Sequence, residues 1–100
     1  MTARRALRLA NKDNVATSLE DIESGAAVLV RLGKGSEEIT ALEEIPFGFK
    51  MAVTDIPREA PVIKYGEPIG VASQDIKKGQ MVHVHNIAGA RGRGDLNERE

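Results

Sequence analysis

The chain has 100 residues, with fourteen basic against fifteen acidic side chains and a formal charge of −1. That length suits one domain and is short for two, and the balanced charge offers no general electrostatic pull toward nucleic acid or an anionic membrane surface. The absence of cysteine excludes disulfides, thiolate metal sites and a cysteine nucleophile together. An apolar fraction of 41% with only three aromatic residues leaves Val, Ile, Leu and Ala to build a thin core, with Phe47, Phe49 and Tyr65 as local anchors. No apolar run is long enough for a signal peptide or a membrane span, so a soluble cytoplasmic protein is the expectation.

Residues 1–12, MTARRALRLANK, carry Arg4, Arg5, Arg8 and Lys12 and no acid. A short strand beginning near Ala6 is preferred to a nucleic-acid arm, its charges keeping a sheet edge from pairing with other chains. Asp13-Asn14 signals a turn, Val15 to Leu19 a short strand, and Ala26 to Leu32 a more apolar one. Residues 36–45, SEEITALEEI, have Ile39, Leu42 and Ile45 at helical spacing. Their β-rich surroundings favour extended structure all the same. Pro46-Phe47-Gly48 then bends the chain. Phe49 to Thr54 reads as a strand with Phe49, Met51 and Val53 on one face and Lys50, Ala52 and Thr54 on the other. Pro61 to Lys64 is another, Tyr65-Gly66-Glu67-Pro68 a turn, and Ile69 to Ser73 a further extended stretch. The last strand spans Gln80 to Asn86, with Val82 and Val84 toward the core and Met81, His83 and His85 on the opposite face. Residues 89–100 lack apolar content and read as a mobile arm on a domain of residues 1–88.

One phrase recurs along the chain. Asp55-Ile56 leads to Val62, and Asp75-Ile76 leads through Gly79 to Val82. Asp21-Ile22 with Gly25 and Val28 has the same spacing, and Glu59 stands where the other copies have Gly. Each copy reads as a corner. The Asp carboxylate accepts from N–H groups just ahead of it, the Ile turns inward, and a residue at positive φ lets the chain reverse. Repeated corners between short strands point to an all-β domain.

His83 and His85, the only histidines, are the main candidates for chemistry. At i and i+2 on one strand face, two imidazoles can share a metal ion or flank a substrate. Asn86 beside them adds a donor and an acceptor. Lys64 and Tyr65 lie at a strand end suited to holding a carboxylate, and Arg91 and Arg93 sit in a glycine-spaced run, ARGRGD, open to close approach by a ligand or partner. The Arg-Gly-Asp triplet in that run is a chance match to an integrin-recognition tripeptide. No serine-hydrolase spacing, phosphate loop or dinucleotide fingerprint is present.

The stretches LRLANKDNVATSLEDIESG, IPFGFKMAVTDI, PVIKYGEPIG, ASQDIKKGQMVHVHN and ARGRGDL together resemble the small N-terminal domain of the altronate/galactarate dehydratase family, over residues from about 6 to 96. The Ala-x-x-Asp-Ile-x-x-Gly phrase is also similar to the SAF domain generally, the β-clip module of sialic acid synthases and type III antifreeze proteins. The resemblance implies an all-β SAF-type β-clip fold with little helix. It also implies a hydro-lyase chemistry: loss of water from an acidic sugar to give a 2-keto-3-deoxy acid, with a divalent metal, usually Fe2+. In this family the domain precedes a large catalytic domain or forms a separate small subunit, and this chain resembles the separate form, inactive without its large catalytic subunit. The metal would be bound mainly by that subunit. His83, His85 and Asn86 would face its cleft, His83 and His85 as supporting catalytic groups or metal ligands. Lys64, Tyr65, Arg91 or Arg93 would hold substrate, and the RGRGD arm would become ordered on docking. A sulfolactate sulfo-lyase subunit and a non-catalytic module that binds a sugar acid are the alternatives. Self-association through strand edges is expected when the partner is missing. The family usually has Gly-His-Lys where this chain has Gly48-Phe49-Lys50, which removes one candidate ligand or acid–base group.

Overall fold

The computed structural model describes residues 3–89. They form nine short strands and, among the described residues, no helix: β1 (Arg4–Leu7), β2 (Val15–Ser18), β3 (Ala27–Leu32), β4 (Gly35–Thr40), β5 (Lys50–Ala52), β6 (Pro61–Lys64), β7 (Glu67–Ala72), β8 (Met81–Val82) and β9 (Ile87–Ala88). Six make one sheet in the order β4-β3-β1-β2-β5-β8, in which only the β1–β3 pair is parallel; β6, β7 and β9 make a second, antiparallel sheet. The expected all-β architecture is what the chain adopts.

Alternation along the strands feeds two separate cores. Met51 and Val53 enter one with Ile22, Val28, Val30 and Ile45, and Phe49 packs against it. Ala52, on the opposite face of the same strand, enters the other with Val15, Ile56, Val62, Ile76 and Val82. The face of β5 bearing Lys50 and Ala52 therefore lies over a second core. At about 25 cal/mol per Å2 of apolar surface, two thin cores each contribute modestly, so the backbone clip within each core matters.

Those clips come from the corners, and there are four. Ile22 and Ile45 exchange both backbone hydrogen bonds at 2.8–2.9 Å, and Ile56 and Ile76 do the same at 2.8 Å. Glu44-Ile45-Pro46-Phe47-Gly48 is thus a fourth copy of the phrase, hidden by Glu in place of Asp. The residues four after the acid, Gly25, Gly48, Glu59 and Gly79, all have positive φ, between 75° and 96°. Each donates its N–H to the carbonyl of a buried small residue: Ala41, Ser18, Ala72 and Ala52 respectively. The aspartates act differently from expectation. Asp55 Oδ1 accepts from Lys78 N and Asp75 Oδ1 accepts from Arg58 N, both at 2.9 Å, and Asp21 Oδ1 accepts from Phe47 N at 2.9 Å. Each carboxylate reaches across to the partner corner, because the Ile–Ile pairing places that loop's free N–H closer than its own.

The last expected strand, Gln80 to Asn86, is interrupted. Pairing stops after Val82, residues 83–86 turn, and β9 restarts in the other sheet. The cause is Asn86: its Oδ1 accepts from His83 N at 2.9 Å and its Nδ2 donates to Met81 O at 2.8 Å, while its own N–H reaches His83 O. Local side-chain bonding of this kind competes with the ladder. Val84, expected in the core, is consequently 78% exposed. Over residues 36–45 the extended reading holds for β4 up to Thr40, after which the fourth corner begins. Arg4 pairs with Glu20 and Glu23, and Arg5 with Glu20.

Candidate functional site

The 83–86 turn presents its histidines unequally. The His83 ring is half-buried and packs tilted against Phe49, centroids 4.7 Å apart at 58°. His85 is exposed at the tip. The period-two face expected to carry both is replaced by this turn. The position where the family usually has His, Phe49, is the one that touches His83, so an imidazole there would meet another. Asn86 is 3% exposed with both ends of its amide spent inside the turn; here it shapes the loop that displays the histidines.

Lys64, at the end of β6, holds its ammonium 4.9 Å from the Tyr65 ring centroid. Tyr65 itself is exposed and sits at φ +60° with Gly66 at +74°. A non-glycine residue in that region needs support, and the buried Asp13 supplies it. Its carboxylate accepts from Tyr65 N and Gly66 N at 3.1 and 2.8 Å, and from Leu9 N and Ala10 N at 3.2 and 3.1 Å. Asn14 adds a two-way bond to β6, donating to Pro61 O and accepting from Ile63 N. Asp13-Asn14, read in the sequence as a turn, clamps the hairpin carrying Lys64 onto the large sheet.

That clamp brings in a residue which sequence reasoning missed. Lys50 is half-buried, and its ammonium is held below the ordinary lysine range by burial and, secondarily, by the charge of Lys64. The sequence signal was only that Lys50 shares a strand face with Ala52; that this face meets the β6–β7 hairpin depends on a long-range contact. Phe49 packs on the first core with His83 against it, whereas Lys50 shares the opposite face of β5 with Ala52, over the second core. Arg91 and Arg93 lie outside the described residues. The described residues include no group of three or more His, Cys, Asp or Glu that could hold a metal ion, so by themselves they do not fit a divalent cation; His83 and His85 fit only as partial contributors. A groove lies between Arg8–Asn11 and the β3–β4 turn, and two of its lining residues, Leu9 and Ala10, donate their N–H groups to the same Asp13 carboxylate that holds Tyr65 and Gly66.

The altronate/galactarate dehydratase SAF domain family matches residues 4–90. Altronate dehydratase of Escherichia coli (strain K12) is 45% identical over 74 residues, covering 74% of this chain and 14% of that enzyme. Altronate dehydratase of Bacillus subtilis (strain 168) is 39% identical over 80 residues, 80% of this chain and 15% of that enzyme. The (2R)-sulfolactate sulfo-lyase subunit alpha of Chromohalobacter salexigens is 44% identical over 45 residues, 45% of this chain and 48% of that subunit. The chain thus spans about one seventh of the length of the altronate dehydratases it matches, and is related to both dehydratases and sulfo-lyases. With residues 4–90 matched as a unit, the chain belongs to the altronate/galactarate dehydratase SAF domain family.

Proposed function

We propose that this chain is the SAF-domain component of a sugar-acid hydro-lyase and works with a separate large catalytic subunit. The observation that carries this reading is the family match over residues 4–90 together with 44% identity to a (2R)-sulfolactate sulfo-lyase subunit alpha. Its likeness to a sulfo-lyase subunit alpha supports a separate-subunit arrangement. The reaction removes a proton next to a carboxylate and expels a hydroxyl group, which calls for a base, an acid and charge stabilisation. A divalent metal, Fe2+ in this reading, would supply Lewis acidity and would be held mainly by the large subunit. This chain's part is to present His83 and His85 on the Asn86-closed turn and to present Lys64 to the acidic substrate.

The purified chain alone should not dehydrate altronate or galactarate, and adding the large subunit should produce metal-dependent release of the 2-keto-3-deoxy acid. A His83→Ala/His85→Ala double variant should assemble and lose at least about 100-fold in kcat, the low end for acid–base groups; normal turnover by that variant would remove the histidines from the site. The likeness to sulfo-lyase subunits makes (2R)-sulfolactate the second substrate to assay. Sulfite release without dehydration would replace the first reading with that one.

A further inference from the structure

β8 ends the six-stranded sheet and pairs with β5 through two residues only, Lys50↔Val82 and Met51↔Met81. Carried one step further, this register puts Phe49 opposite His83, and their rings touch with centroids 4.7 Å apart. Gln80 O accepts from Ala52 N, so the backbone groups of the next residue, Met81, point away from β5. No strand lies on that side among the described residues, yet the groups there are not open. Met81 N donates to Glu43 Oε2 at 2.9 Å, Met81 O accepts from Asn86 Nδ2 at 2.8 Å, and His83 N donates to Asn86 Oδ1 at 2.9 Å. Two side chains stand where a further strand would. Asn86 belongs to the turn that it closes. Glu43 comes from outside it, between Ala41 and Ile45, which are both buried in the first core.

The same device occurs at the partner corner. Glu43 directly precedes the corner acid Glu44, and Glu20 directly precedes Asp21 in the corner whose Ile22 pairs with Ile45. Glu20 Oε2 accepts from Arg5 N of β1 at 3.0 Å. Glu20 also binds the Arg4 and Arg5 side chains, whereas Glu43 enters no ion pair among the described residues. We infer that Glu43 is a positioning residue for His83: it pins the base of the 83–86 turn and thereby fixes where the His83 ring lies against Phe49. A carboxylate holds a backbone N–H more strongly than a neutral acceptor does, which suits a strand with so short a ladder. Without Glu43, Met81 N faces solvent and His83 loses its register with Phe49. Glutamine at this position keeps an acceptor oxygen at the same reach while removing the charge. What His83 does in turnover rests on the proposed function, whereas its placement can be read in the chain alone.

The test compares the parent chain with Glu43→Ala, Glu43→Gln and Glu38→Ala by NMR, and then in the presence of the large subunit. Glu43→Ala should speed amide hydrogen exchange at Met81 at least about tenfold and move the His83 ring-proton resonances toward those of the exposed His85, as the Phe49 ring current is lost. Glu43→Gln should restore both, and Glu38→Ala, at an exposed position of β4, should change neither. With the large subunit, Glu43→Ala should lower kcat at least about tenfold while KM stays within about twofold, and Glu43→Gln should recover most of the loss. Were the alanine variant to fail to fold, Glu43→Asp, one methylene shorter, should show the same exchange and resonance changes. Parent-like His83 resonances in Glu43→Ala or Glu43→Asp, or a glutamine variant no better than alanine, would overturn the inference. Displaced His83 resonances with unchanged turnover would instead retain the role of Glu43 and remove His83 from the proposed function.

Discussion

The Asp13 carboxylate accepts from four backbone N–H groups in two separate segments while being 1% exposed. Removing it strands those donors and frees the Tyr65–Gly66 turn, whose positive φ it supports. Asp13→Ala should therefore cost roughly 3 kcal/mol or more, read as a fall in the urea midpoint, and should also loosen the hairpin that carries Lys64. Exposed charges act on a smaller scale. The hydrogen bonds from Arg4 hold the Glu23 carboxyl down to about 2, and Arg5 holds Glu20 below the ordinary range. Both groups are depressed on folding, so their contribution is present above the unfolded pKa and disappears as pH falls from about 4.5 toward 2. Glu23→Gln should flatten the acid limb of a stability-versus-pH curve over that window without altering it near neutrality. An unchanged acid limb would show that the Arg4 pair is too well screened to matter.

At the scale of the element, the four corners share one backbone but differ in space. A side chain at Gly79 would collide with Thr40 O, with φ at +96°, whereas at Gly25 nothing lies within 4 Å and φ is +87°. Gly25→Ala should cost only the left-handed penalty, about 1–2 kcal/mol, and Gly79→Ala distinctly more, because a carbonyl of β4 must move as well. Glu59 is the corner residue that occupies this region without being glycine, at φ +75°, so Glu59→Gly should stabilise the chain by up to about 1 kcal/mol. Equal urea midpoints for the Gly25 and Gly79 variants would contradict the spacing assigned to the corners. The all-β class was legible because Gly and Pro punctuate strands of alternating burial, and three corners were legible through Asp-Ile. The fourth was not, since Glu44 replaces the Asp and Pro46-Phe47 occupy its tip. Nor was the break after Val82. In the sequence Val82 and Val84 alternate as a strand would, and nothing local says that the Asn86 amide will fold back on His83 N and Met81 O. The candidate site was half legible. Both histidines and Lys64 were marked by residue type and position, whereas the burial of Lys50 depends on long-range packing that no local pattern shows.

For the whole molecule, the described residues present a half-buried and an exposed histidine on the 83–86 turn and Lys64 at the end of β6, and include no group of three or more His, Cys, Asp or Glu able to hold a metal ion. A self-sufficient lyase needs converging acid, base and metal ligands, and the proposed function assigns most of these to a large catalytic subunit. The most direct measurement is dehydration of altronate and galactarate by a fixed amount of the large catalytic subunit as this chain is added. The rate should rise from near zero and saturate at equimolar chain, with the chain alone inert. Robust turnover by the chain alone, or a rate for the large subunit that does not depend on the chain, would contradict the account.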